Sequence, residues 1–260
     1  MRIAMVSLDQ VWENKQENRT RVFSAIQYAA EQNADMVILP EMTLTGFSMQ
    51  TQVIGESISQ SETLHWFKQL AQQFHVAIIF GYVVLPDSGK ARNRSVFLSP
   101  RGEILCIYDK VHPFSHSGED HYYQQGKSLG VCSWNDAVWG LSICYDLRFP
   151  ILYQLLGEQC SVIVNIANWP ESRILHWHTL LRARAIENQV FIIGVNRVGS
   201  DPNGLQYISS SCIYGPFGEE ILPVQSESAC DICEIDISEV HRIRSTYPFF
   251  QDRYRVREVT

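Results

Sequence analysis

Three side chains in this sequence have the types needed to attack an amide, and each follows an apolar run that reads as a β-strand. Glu41 comes after Met36-Val-Ile-Leu-Pro40, Lys110 follows Ile107-Tyr-Asp109, and Cys144 follows Gly140-Leu-Ser-Ile143. In α/β folds, ligands bind outside the carboxyl ends of strands. A thiol becomes a nucleophile when a base takes its proton, and Glu41 is the carboxylate placed to do so. Attack on an amide carbonyl creates an oxyanion, which an ammonium and a backbone N–H stabilise. Lys110 and the N–H of Tyr145 would fill those roles. Ammonia would leave with the proton held by Glu41, and water would then hydrolyse the thioester with Glu41 again as base.

Taken singly, each residue has a plainer reading. Glu41 reads more readily as a surface residue opening a loop. Lys110 could form an ordinary surface ion pair with Asp109. Cys144 could be a buried inert thiol, which is the reading for most of the other six cysteines. The turn at Cys144 argues for reactivity: a helix is expected to start there with Asp146 as its N-terminal cap. Backbone N–H groups and a positive helix end would lower the thiol pKa.

Hydrophobic periodicity supplies the elements that must position these groups. Strands are predicted at 2–8, 35–39, 76–85, 137–143, 161–166 and 190–196, with a hairpin at 93–98 and 103–109. Helices are predicted at 15–33, 62–74 and about 173–189. Further strands at 206–214, 219–224 and 230–236 and a terminal helix at 238–245 complete the pattern, with a loop at 199–204. Helices alternating with apolar strands, and more strands than one open sheet holds comfortably, predict an α/β fold of two stacked mixed sheets with helices outside.

Composition sets the outer limits. The chain has 260 residues, 45% hydrophobic and 19% charged, which excludes disordered and low-complexity classes. It shows no repeat or linker, so one domain over 1–260 is expected. The net charge of −7 attracts neither nucleic acid nor an anionic membrane. The N-terminal apolar stretch is too interrupted for a signal peptide, no run is long enough for a transmembrane helix, and seven scattered cysteines fit reduced thiols, so a cytoplasmic protein is expected.

Several segments together resemble the nitrilase (carbon–nitrogen hydrolase) superfamily. They are Ile38-Leu-Pro-Glu-Met-Thr-Leu-Thr-Gly-Phe47, Tyr108-Asp-Lys-Val-His-Pro-Phe114 and Ile143-Cys-Tyr-Asp-Leu-Arg-Phe-Pro150, in that order. Asn168-Trp-Pro, residues 182–188 and Asn196-Arg-Val-Gly199 extend the similarity along nearly the whole chain. The resemblance implies a four-layer α-β-β-α sandwich, catalysis by Glu41, Lys110 and Cys144, and a second glutamate that orients the lysine. Glu119 stands at a suitable distance, with Asp120 as the neighbouring competitor. It also implies a homodimer packed through helical layers, using the helix around 173–189. Within the superfamily, residues 144–150, 167–170 and 183–189 are similar to the omega-amidases, or 2-oxoglutaramate amidases. These hydrolyse the terminal amide of 2-oxoglutaramate or 2-oxosuccinamate to the dicarboxylate and ammonia.

A small-molecule substrate with a free carboxylate calls for an arginine at the cleft. Arg148 and Arg173 are the candidates by proximity to the motifs, although Arg148 is equally suited to pair with Asp146 and hold the cysteine turn. Phe47, Tyr145 and Trp169 could wall the pocket, while aromatics beside a motif are more often core. Other signals carry less. Gly126-Lys-Ser128 lacks the remainder of a phosphate loop. Cys230 and Cys233 lie three apart on a strand and so point to opposite faces. His176 and His178 do not share a helix face. No metal and no cofactor are expected. Two alternatives stay open: a related hydrolase acting on deaminated glutathione, an N-carbamoyl amine or a nitrile, and a non-catalytic binding protein on the same fold.

Overall fold

The computed structural model describes residues 1–253 except position 228, so the end of the expected domain, 254–260, lies outside the described residues. The first part of the chain builds β1 (Arg2–Val6), α1 (Lys15–Glu31), β2 (Met36–Ile38), α2 (Thr51–Ile54), β3 (Glu56–Ser57), α3 (Glu62–Phe74), β4 (Ala77–Leu85), β5 (Arg92–Leu98), β6 (Ile104–Asp109) and the single turn α4 (Glu119–Tyr122). The second part builds β7 (Gly130–Trp134), β8 (Ala137–Ile143), α5 (Pro150–Gly157), β9 (Val162–Ala167), α6 (Ile174–Asn188) and β10 (Phe191–Asn196). It closes with β11 (Gly199–Ser200), β12 (Gln206–Tyr207), β13 (Cys212–Tyr214), β14 (Glu220–Ile221), β15 (Gln225–Glu227), β16 (Cys230–Glu234) and α7 (Ser238–Thr246).

One sheet has the order β15-β16-β1-β2-β4-β5-β6 with β3 beside β4, and the other β14-β13-β10-β9-β8-β7. Both are mixed: β2 lies parallel between β1 and β4, and β9 parallel between β8 and β10, with antiparallel strands outside. Strand alternation sorts the side chains into layers. Ile3 and Met5 of β1 join Ile38, Phe97, Leu141, Val164 and Ile193 between the sheets. Ala4 and Val6 face the other way and pack with Val22 and Ile26 of α1 and Phe67 and Leu70 of α3. The second sheet buries its outer face, including Ile163 and Ile192, under Leu152 and Leu156 of α5 and Trp177 and Leu181 of α6. The result is the expected α-β-β-α sandwich. Cys233 lies in the inner core and Cys230 under the helices, as the strand period requires.

The sheets are tied together at the carboxyl ends of their central strands, where Val198 N–H donates to Leu8 O at 3.1 Å. Three segments depart from the sequence reading. The expected strand 206–214 is two strands, because Ser210 and Ser211 turn inward to hydrogen-bond Asn196 instead of continuing a ladder. β12 instead pairs with β11, making 199–207 a hairpin. The helix expected at the cysteine turn starts only at Pro150, a proline at a first helical position where its missing N–H costs nothing.

Gly81 of β4 shows how tightly the scaffold grips the site. A Cβ there would lie 2.7 Å from Met42 N and 3.0 Å from the Cα of Glu41. Gly81→Ala is therefore expected to displace the Glu41 segment and lower stability by about 1–3 kcal/mol. Urea unfolding and kcat, measured on the same preparation, check this. An unchanged kcat would show that β4 does not set the position of Glu41.

Candidate active site

The four residues expected to carry the chemistry converge from three strand ends and the start of one helical turn. Glu41 follows β2, Lys110 follows β6, Glu119 opens α4, and Cys144 follows β8. Glu41 and Glu119 are fully buried and Lys110 is 2% exposed. Lys110 Nζ donates to Glu41 Oε1 at 2.9 Å and to Glu119 Oε2 at 2.9 Å. Lys110 thus has buried carboxylate partners, while the Asp109 carboxylate pairs with Arg92 and Arg94 instead. Adjacent strand residues face opposite ways, so these two neighbours cannot share one environment. Asp120 is not part of the cluster; Glu119 is.

Burial alone would lower the Lys110 pKa, but Glu119 and Glu41 outweigh it and hold the ammonium well above its ordinary value. Burial pushes the Glu119 carboxyl up, against the pull of Lys110. Glu119 also accepts the Phe114 N–H, and Glu41 Oε2 accepts the N–H of Asn168 at 3.0 Å.

Cys144 sits on a sharp bend, with φ of +45° in a region that side-chain-bearing residues seldom adopt. Asp146 holds the bend. It accepts the Ile143 N–H at 2.9 Å, the Tyr108 hydroxyl at 2.8 Å and the His112 N–H at 2.9 Å. Arg184 adds bonds to Leu147 O. Asp146 is thus a brace within a 3₁₀ turn over Cys144–Arg148, rather than the cap of a following α-helix.

The thiol differs from the expectation. Its pKa is raised well above the ordinary value, by burial first and by Glu41 second, against the opposing pull of Lys110. The helix whose positive end was to lower it begins six residues later. A thiol held protonated in this way needs a neighbouring base before it can act as a nucleophile.

Cys144 opens onto a cavity of about 490 Å³. Phe47, Tyr145, Arg148, Trp169 and Arg173 all line it, as the sequence suggested. Arg148 does not pair with Asp146; its guanidinium lies over the Trp169 ring at 4.9 Å and reaches His176. Arg173 lies over Phe114. Among the described residues neither arginine forms an ion pair with a carboxylate.

Sequence reasoning missed Asn93, Gln10 and the 199–207 hairpin, whose Tyr207 lines the cavity. Asn93 Nδ2 bonds Glu41 and Glu119, and Gln10 holds the carbonyls of residues 41–43. A signal for Asn93 existed: it shares a strand face with Phe97, so an amide sits where the core pattern wants an apolar group.

The sequence pattern of the carbon–nitrogen hydrolase family matches residues 2–245. The chain belongs to that family. This hydrolase is 34% identical to the omega-amidase YafV of Yersinia enterocolitica over 255 residues, covering 97% of this chain and 96% of the relative. It is 30% identical to the 2-oxoglutaramate amidase of Bacillus subtilis, with 85% of each chain covered. Among solved structures, XC1258 of Xanthomonas campestris superposes with a TM-score of 0.90 at 29% identity, covering 99% of this chain and 98% of the other. That structure is described as a CN-hydrolase superfamily protein with an arsenic adduct in the active site. The family and the relatives make this protein an enzyme that hydrolyses carbon–nitrogen bonds of amides.

Removing the ammonium exposes the electrostatics of the hydrolase site. In Lys110→Met, Glu41 and Glu119 would face one another unpaired, a loss of about 3–5 kcal/mol. Repulsion raises a carboxyl pKa in the folded state above its unfolded value. The folded state then binds the extra proton, so the deficit is full at neutral pH and shrinks as pH falls toward the ordinary carboxylate range. Urea unfolding of variant and parent at neutral and mildly acidic pH checks this; a deficit independent of pH would contradict it.

Proposed function

We propose that this amidase is an omega-amidase, hydrolysing the terminal amide of short 2-oxo acid monoamides such as 2-oxoglutaramate and 2-oxosuccinamate. The observation that carries the reading is a free cysteine lining a cavity that also holds two arginines without carboxylate partners among the described residues. A substrate bearing its own carboxylate supplies that partner, as a bidentate guanidinium contact. The names of the Yersinia and Bacillus relatives point the same way.

The reaction proposed uses these groups in turn. Glu41 takes the Cys144 proton as Sγ attacks the amide carbon. The carbonyl electron pair moves to oxygen, where the Tyr145 N–H and Lys110 meet it. Lys110 has three donors: one reaches Glu41, one is shared by the two oxygens of Glu119, and the third is left for the oxyanion. Collapse expels the nitrogen, which takes the proton from Glu41 and departs as ammonia. Water then gives its proton to Glu41 and attacks the thioester; the thiol leaves with that proton, and the product is the dicarboxylate. Glu119 holds Lys110 in place throughout.

The test is ammonia release from 2-oxoglutaramate, 2-oxosuccinamate, glutamine, asparagine and deaminated glutathione, with an N-carbamoyl amine and a nitrile alongside. The expected result is the highest kcat/KM for the 2-oxo acid monoamides and its disappearance in Cys144→Ala. Preference for another substrate would overturn the assignment, and no turnover of any would favour the binding-protein reading. Arg148→Ala and Arg173→Ala locate the carboxylate. The arginine that binds it should cost about 10–100-fold in kcat/KM, the worth of a charged hydrogen bond, and leave a neutral short amide unaffected. Equal losses on both substrate types would assign that arginine to the fold.

The partner proposed is a second copy of this chain. α5 and α6 carry Ile151 and Leu175 at 71% and 74% exposure, with Leu155 and Ile186 also exposed, on the outer helical layer. Leu175→Asp is expected to shift the protein from dimer to monomer in sedimentation equilibrium; a monomeric parent would refute the dimer.

A further inference from the structure

Glu41 and Glu119 are two carboxylates in one buried site, and Lys110 supplies only one positive charge between them. Such a pair tends to bind a proton and share it, because the neighbouring charges oppose ionisation of both. A base that has already taken a proton cannot accept one from the Cys144 thiol. Something must favour the fully ionised pair, and the structure offers one neutral group in the right place. Asn93 Nδ2 lies 2.7 Å from Glu41 Oε1 and 2.9 Å from Glu119 Oε1. Only the NH₂ end of an amide can face two carboxylate oxygens, so the orientation of this side chain follows from its partners.

The arrangement closes a ring. Glu41 Oε1 accepts from Lys110 and Asn93, and Glu119 Oε1 accepts from the same two donors. Glu41 Oε2 is left with one backbone bond, from Asn168, whose carbonyl lies 4.0 Å from Cys144 Sγ. The donors therefore crowd one oxygen of Glu41 and leave lone-pair capacity on the other, whose one partner, Asn168, also meets the Cys144 thiol. Asn93 is 1% exposed and its Oδ1 has no hydrogen-bond partner among the described residues. An amide retained with half its capacity unmet is poorly explained by packing alone. Its backbone carbonyl also accepts the Lys110 N–H at 2.9 Å, which fixes donor and ammonium in register.

We propose that Asn93 is a positioning residue that keeps Glu41 ionised and directs proton transfer to its Oε2, by donating to both carboxylates at once. The inference rests on the reading of Glu41 as the base. Besides Asn93, the titratable groups facing Glu41 are Lys110 after β6, Glu119 of α4, Tyr123 behind them and Cys144 after β8. Lys110 alone among these is cationic, so the amide is the neutral donor that both carboxylates share.

The readout is the pH dependence of Cys144 alkylation by iodoacetamide, with Cys144→Ala as the background for the other thiols. It needs no amide substrate, so an error in the substrate class leaves it intact. If Glu41 is not the base, Glu41→Gln will leave the parent's acid limb unchanged, and that outcome fails the earlier reading instead. Asn93→Leu keeps the branched four-atom outline, is bulkier and has no donor; Asn93→Ser is smaller and keeps one. Losing a hydrogen bond to the charged form raises the pKa of the base, so the acid limb should move to higher pH, by about one unit or more in Asn93→Leu and by less in Asn93→Ser. The rate below the limb should fall about tenfold with each unit. A structural role would leave the limb in place in both variants, whatever they cost in stability, and that result overturns the proposal. Failure of both variants to fold, judged by circular dichroism, would assign Asn93 to the fold and overturn it equally.

Discussion

One buried ammonium between two buried carboxylates is the constraint on which the rest of this site depends. Lys110, Glu41 and Glu119 bring one ammonium and two carboxyl groups together where almost no solvent reaches. Burying such a group is tolerable only when its hydrogen-bonding capacity is met. The fold meets it from every side, with the Asn93 amide, the Asn168 N–H and the Phe114 N–H. These donors come from strand ends in both sheets, so the sheets must stack in one register for the cluster to exist. Burial first, and Glu41 second, hold the Cys144 proton in place at rest. The site therefore stores a protonated thiol in the same cluster as two carboxyl groups, an arrangement that suits the proposed chemistry, which begins when a substrate arrives.

Backbone strain is concentrated at the same place. Met42, directly after Glu41, and Cys144 itself both have positive φ, at 47° and 45°. Such residues persist only where surrounding bonds over-determine them, at about 1–3 kcal/mol each. Thr43 and Gln10 grip the first bend through Gly81 and through the carbonyls of residues 41–43. Asp146 and Arg184 grip the second. Both bends let a side chain leave the end of a strand at an angle that extended backbone does not offer.

Most of the scaffold was legible in the sequence because it obeys simple periods. α3 occupies 62–74 as predicted, since Ser61 caps it and its apolar residues repeat at helical spacing. The central strands were legible for the opposite reason: buried on both faces, they read as unbroken apolar runs. β7 was not legible, because Gly130-Val-Cys-Ser-Trp134 mixes small and polar residues without a clear period. At the site, residue types and strand ends singled out Glu41, Lys110 and Cys144, and the family resemblance added Glu119, but neither told which charges they meet. Asp109 and Lys110 are adjacent in sequence, yet one meets Arg92 and Arg94 and the other the buried carboxylates. Thiol acidity was misjudged for the same reason: the turn chemistry was visible, and the burial that outweighs it was a property of the assembled sheets.

Asp146 also has a mechanical meaning. Through His112 and Tyr108 it fastens the loop that carries Lys110 to the bend that carries Cys144, and His112 stacks flat on Phe149 with ring centroids 3.8 Å apart. This side of the mouth behaves as a fixed jaw: while those bonds hold, the loop cannot swing outward without dragging the nucleophile off its mark. The opposite rim, built from the 199–207 hairpin, has no such fastening to the cysteine bend among the described residues. Differences in bite among enzymes sharing this scaffold can therefore accumulate in that hairpin, where a change of length or shape leaves the reacting atoms undisturbed.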